Sequence, residues 1–376
     1  MLSDKEETFY QKFLALKNEA GSHSPSIFKL LKEFPEVSIK VDACFLCNPY
    51  AFDLFYEEFE KTDLKKYIKF YPPQNHEVAE NIAKFRGIPK ERILIGNGAI
   101  EIIETILGHC VNQDIVMPIP TFSSYYDYSM NLNTIIPYVL SSDNNYQLET
   151  TKFIEFLNEH KPEIVVLVNP NNPTGTITSK KDVIKIHKSL SQKQVLILDE
   201  SFIDFSDEDA SIEKYAIKHN NIIIVRSLSK DFGIAGLRLG YAVMPEDLIQ
   251  VYMNHGFLWN SNGIAYFFTE LLSNKEFQKK YEKAKKEYND VRNDFYKDLV
   301  SLGLDVVPSQ ANFFMIRTPQ DPGIYFSKLL YSYGIYTRIL NDKWGLSGNY
   351  LRIASKDRRE NRQMIKAIKE IFKGDI

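Results

Sequence analysis

The stretch Val225–Val243, VRSLSKDFGIAGLRLGYAV, sets Lys230 between a pair of serines and a glycine-rich loop, with Arg238 eight residues further on. Its flanks, NNIIIVRS and LRLGYAV, read as apolar strands of a core. A buried ammonium is costly unless a partner neutralises it or a reaction uses it. The rest of the chain therefore has to supply something that consumes these two positive charges.

Outward from this stretch, strand-like and helical runs alternate from about residue 90 to 245. RILIG leads into the helix AIEIIETILGHC, and DIVMP, TIIPYVL, EIVVLVN, QVLILDE and NIIIVRS follow, with helical segments between several of them. Short Val/Ile/Leu runs alternating with amphipathic helices predict an α/β domain with a mainly parallel sheet covered on both faces. Ligands of such sheets bind beyond the carboxyl ends of the strands, and each notable motif here falls at such an end. From about residue 275 a long charged helix, short strands and the helix DRRENRQMIKAIKEIF predict a smaller α+β domain. The expected division is a large domain over 41–274 and a small one formed by 1–40 with 275–376.

The 376 residues are 44% hydrophobic and 25% charged, with a formal net charge of -3, an ordinary globular composition. A pI near 6.2 and the lack of a basic, aromatic-interleaved patch argue against nucleic acid as a partner. The apolar runs are strand-sized, too short to span a bilayer, and the charged start MLSDKEETFYQKF does not read as a signal peptide. Cys44, Cys47 and Cys110 make no disulfide framework, so a reducing cytoplasm is expected. The Cys44–Cys47 pair lacks a second pair or a nearby histidine, so it reads as ordinary half-buried cysteine, and no metal site is proposed.

Three further motifs stand at strand ends. In GNGAIEIIE, small residues open a helix, so that Gly98 and Ala99 could form either a phosphate cradle or simply a tight turn. Glu101 stands where a dinucleotide fingerprint would need its third glycine. NPNNPTG, Asn169 to Gly175, is an irregular turn with amide donors, or only a structural loop. Asp199 closes LILDE as metal ligand, N-cap or ion-pair partner.

Taken together, GNGA, NPNNPTG, DESFIDF and SLSKDFGIAGLRLGY resemble the fold-type I pyridoxal phosphate (PLP) enzymes of the class I/II aminotransferase family, over nearly the whole chain. That resemblance implies a seven-stranded, mainly parallel sheet in the large domain, PLP as cofactor and a role for each motif. Lys230 would bind the cofactor as a Schiff base and act as general base. Asp199 would keep the pyridine nitrogen protonated, Asn172 would bond the ring O3′, and Phe122 of PTFSSY would stack on the ring. Ser227, Ser229 and Arg238 would join Gly98 and Ala99 around the phosphate. Tyr71 of FYPP would reach that phosphate from a neighbouring subunit, implying a homodimer with shared sites.

Within the family, the chain looks most like histidinol-phosphate aminotransferases and their relatives, the threonine-phosphate decarboxylases. Arg352 in NYLRIAS and Arg338 in GIYTRIL match arginines that bind substrate carboxylate or phosphate. Asn48, left from a reduced LCNP motif, and Asn172 complete the substrate contacts so implied. There are departures. Phe202 stands where many aminotransferases have tyrosine, and HSPSIF, His23 to Phe28, faintly echoes the HGGDIY of the decarboxylases. The expected reaction is transamination from an amino acid, L-glutamate, to a small phosphorylated oxo compound of histidinol-phosphate or dihydroxyacetone-phosphate type. Decarboxylation of phosphothreonine or phosphoserine is the alternative. A non-catalytic PLP-fold sensor is a remote third, since residues 1–40 are too few and not basic enough for a DNA-binding domain.

Overall fold

Val195–Asp199, VLILD, is the middle strand of seven in the computed structural model, which describes residues 2–254 and 259–373. Its side chains alternate between two buried layers: Leu196 and Leu198 face one core, Ile197 the other. Ile164–Val168 does the same, which is why both strands read as continuous apolar runs rather than alternating ones. Across the sheet the strands run Ile93–Asn97, Leu239–Val243, Ile222–Ser227, Val195–Asp199, Ile164–Val168, Asp114–Ile119 and Thr134–Val139. All are parallel except Leu239–Val243, which is antiparallel to both of its neighbours. That reversal has a consequence for the site. Arg238 precedes a reversed strand, so it emerges at the same sheet edge as Asn97, Asp199 and Ser227, which end forward strands.

A second core gathers Phe9, Phe13 and Leu16 of the helix Asp4–Glu19 with Phe314, Ile316, Met364 and Ile368 from the far end of the chain. It packs on an antiparallel sheet ordered Arg338–Ile339, Tyr350–Ala354, Phe313–Arg317 and Asp305–Val306. The two ends of the expected large domain blur into this core. Val41, Ala43 and Cys44 pack in it, and the helix Lys275–Ser301 serves both: Phe277 and Tyr281 join the first core, Phe295 and Leu299 the second. Among the described residues, no helix is long and apolar enough to cross a membrane.

Candidate active site

A cleft of about 210 Å³ opens at the sheet edge where the strand-end motifs meet. At its near end the strand Ile93–Asn97 turns into the helix Ala99–His109 through Gly98, whose φ of +79° suits glycine. A Cβ there would lie 2.3 Å from Arg238 Nη2, and one on Gly240 would lie 2.4 Å from the Ala99 nitrogen. Both glycines thus let a guanidinium and a helix N-terminus close on one spot. Arg238 donates from Nη1 to the Ala235 carbonyl at 3.1 Å and has no carboxylate partner among the described residues. A helix N-terminus and a guanidinium that has no carboxylate partner among the described residues converge here and make a seat for an anion. Ala99, Ser227 and Arg238 all line the cleft here.

Lys230 lies in the short helix Leu228–Asp231 and lines the cleft wall. Its amine makes no hydrogen bond or ion pair among the described residues. Burial pushes its pKa down and the charges of Arg238 and Arg352 push the same way, while Cys47 and, less strongly, Asp199 oppose them. Asp199 is 3% exposed. It accepts from Tyr125 Oη at 3.0 Å and from the Ser201 backbone N–H at 2.8 Å. Burial raises its pKa, while these donors and Lys230 work against the rise.

The asparagines of NPNNPTG divide the two readings between them. Asn169 and Asn171 tie the loop, bonding Thr178, Pro120 and Thr121. Asn172 lines the cleft and accepts from Arg352 Nη1 at 2.7 Å. Phe122 lines it too, its ring 5.9 Å from that of His23. Phe202 is buried edge-on against Phe313, so no hydroxyl enters from that position.

The far end is cationic. Arg352 also donates to the Cys44 carbonyl at 3.0 Å, and burial holds its pKa down to about 10. Arg338 donates to the Ser22 carbonyl at 2.9 Å and to Asp342 at 2.5 Å. Lys343 donates to Ser22 O at 3.2 Å and to Ser123 Oγ at 3.1 Å.

Three expected residues are not brought to the cleft. Asn48 caps the helix Pro49–Lys61, its Oδ1 accepting from the Tyr50 and Ala51 N–H groups. Ser229 is buried, with Oγ toward the Leu239 carbonyl at 3.5 Å. Tyr71 is 80% exposed and lies against Trp259, 4.9 Å between ring centroids. In turn, sequence reasoning missed Lys343 and the supporting hydroxyl of Tyr125. Cys44, read as half-buried, is buried and lines the cleft, where burial raises its thiol pKa and so keeps it protonated.

An unpaired lysine, a buried acid on a strand end and an anion seat beside them suit a ring that carries an aldehyde, a basic nitrogen and a phosphate. The residues present fit PLP. The family model for class I and II aminotransferases matches residues 53–368. An L-serine phosphate decarboxylase of Campylobacter jejuni is 40% identical, with 99% of each chain covered. The solved structure of a decarboxylase from Sulfurospirillum multivorans superposes with a TM-score of 0.92 at 39% identity, covering 98% of this chain and 97% of that one. A histidinol-phosphate aminotransferase of Methanococcus aeolicus is 29% identical, over 86% of this chain and 88% of its own.

These similarities correct the expectation of transamination from L-glutamate, because relatives that are 39–40% identical over 97% or more of this chain are decarboxylases. The two chemistries share the same cofactor seat and part only over which bond to the α-carbon breaks, so the motifs could not separate them. With the match spanning most of its length and the seat built as above, the chain belongs to the class I and II aminotransferase family and is a fold-type I enzyme whose cofactor is pyridoxal 5′-phosphate.

Proposed function

We propose that the chain decarboxylates O-phospho-L-serine, releasing carbon dioxide and O-phosphoethanolamine. The observation that carries this reading is the end-to-end similarity, at 40% identity, to an L-serine phosphate decarboxylase. The cleft is consistent with it. Beyond the Arg238 seat there remain Arg338, Arg352 and Lys343, enough positive charge for a substrate with both a carboxylate and a phosphate.

When bound, the cofactor supplies an electron sink for the pair released at the α-carbon as its bond to the carboxylate breaks. Arg238, Ser227 and the N-terminus of Ala99–His109 would hold the cofactor phosphate. Asp199, kept in place by Tyr125 and Ser201, would face the ring nitrogen and hold its proton. Lys230 would anchor the cofactor, and its amine, free of other partners, would carry a proton to the α-carbon after carbon dioxide leaves. One carboxylate is lost and one proton gained at the same carbon. The far-end cations would orient the substrate and so select the bond that breaks.

The test is direct. Supplied with PLP, the purified protein is expected to release carbon dioxide from O-phospho-L-serine, with O-phosphoethanolamine in equal amount, and to leave L-glutamate unchanged. O-phospho-L-threonine measures tolerance of one added methyl group. No carbon dioxide from phosphoserine overturns the reading.

We also infer a homodimer. Ile68, Phe70 and Tyr71 are 74%, 62% and 80% exposed along one short stretch, a row of apolar side chains suited to a second copy of the chain. Sedimentation at twice the chain mass is expected; a monomer at assay concentration would remove Tyr71 from the site.

A further inference from the structure

Arg338 and Arg352 are register partners on neighbouring antiparallel strands, an arrangement in which like charges repel. A third cation, Lys343, comes from the turn that joins those strands. Its Nζ and Arg338 Nη2 both donate to the Ser22 carbonyl, at 3.2 and 2.9 Å. Two cations therefore converge on one neutral oxygen. The carboxylate beside them, Asp342, is bonded by Arg338 at 2.5 Å and Lys17 at 3.0 Å. Among the described residues, Lys343 itself has no ion pair.

The turn is held firmly in place. Gly345, at φ +77°, packs so closely on the large sheet that a Cβ would lie 2.7 Å from Ile119 Cδ1. Trp344 meets the edge of Tyr126 at 5.6 Å. Lys343 thus spans from its own turn to Ser123 at the mouth of the large sheet and to Ser22 of the N-terminal segment. A long, flexible side chain has been anchored inside the cleft by neutral oxygens, with no ion pair among the described residues, an arrangement that an incoming anion would stabilise.

We propose that Lys343 determines substrate specificity, seating the substrate phosphate together with Arg338 and leaving Arg352, tied to Asn172, for the carboxylate. This rests on the decarboxylase reading above. Lys343 is faced by Arg338 and Asp342 from its own hairpin, by Arg352 on the next strand, by Asp127 of the helix Ser124–Asp127 and by His23 of the N-terminal segment. Burial first, and then the charge of Arg338, hold its pKa down to about 7. The free enzyme therefore carries the Lys343 charge below that pH and loses it above, while bound phosphate favours the charged form.

The test measures kcat and KM for O-phospho-L-serine across a pH range bracketing 7, on PLP-loaded wild type, Lys343→Met and Lys343→Arg. Calorimetric binding of O-phosphoethanolamine runs in parallel. Wild-type KM is expected to rise above about pH 7. Lys343→Met is expected to raise KM about 10- to 100-fold below that pH, with a much smaller fall in kcat, and to weaken O-phosphoethanolamine binding to match. Lys343→Arg, which stays charged, is expected to keep the low KM and abolish the rise. A Met variant with wild-type KM and pH profile overturns the proposal. If that variant does not fold, an Arg variant that keeps the wild-type rise overturns it instead. In either case phosphoserine turnover by the wild type leaves the decarboxylase reading standing, whereas a wild type inert toward phosphoserine sinks that reading itself.

Discussion

The two ends of the cleft gather positive charge by different constructions. At the near end the seat joins backbone to one guanidinium: a glycine with positive φ, a helix N-terminus and Arg238, which follows Lys230 by eight residues. At the far end it is side chain: Arg338, Lys343 and Arg352 come from one hairpin, but their partners Ser22, Ser123 and Asn172 are scattered over the chain. The near seat depends on close backbone approach at two glycines, Gly98 and Gly240. A side-chain seat is assembled by packing, and can be altered without disturbing the cofactor.

The largest expected effect would test whether the near end is catalytic at all. Lys230→Ala should lower carbon dioxide release about a thousandfold or more and abolish covalent retention of the cofactor, read from the visible spectrum after denaturation. Retained turnover would break the comparison at its root. Next comes a crossed pair. Arg238→Met should weaken PLP binding about 10- to 100-fold, since a charge-assisted contact is lost, and change substrate KM little once the cofactor is saturating. Arg352→Met should do the reverse, and a swap of these outcomes would mean that the ends have been assigned the wrong way round. The smallest effects come from two glycines with similar backbones. Gly98→Ala, at φ +79°, and Gly345→Ala, at φ +77°, should each cost about 1–3 kcal/mol in denaturant unfolding. Their functional readouts should diverge: PLP affinity falls for the first, and phosphoserine KM rises for the second. If both readouts move together, the two ends are mechanically coupled.

Much of the large sheet was legible because its signals are local. VLILD and IVVLV are runs of a few apolar residues, and burial on both faces is what such runs report. Asn48 carries a local signal of its own. Asn followed by Pro and then YAFDLFYEEF is a helix N-cap with proline at the first position, and that is what its side chain does. Lys343 shows the opposite case. NDKWG reads as a solvated turn, and only its packing on Ile119 and Tyr126 turns the lysine inward.

By itself the sequence determined the α/β class and the strand-end motifs, because each depends on neighbours a few residues apart along the chain. Tertiary structure alone decided that Arg238 reaches the shared edge through a reversed strand, that Arg338 faces Arg352 across a ladder, and that Lys343 closes the far end. Those relations depend on register and on the packing of one sheet against another. Neither leaves a periodic trace in the order of the residues.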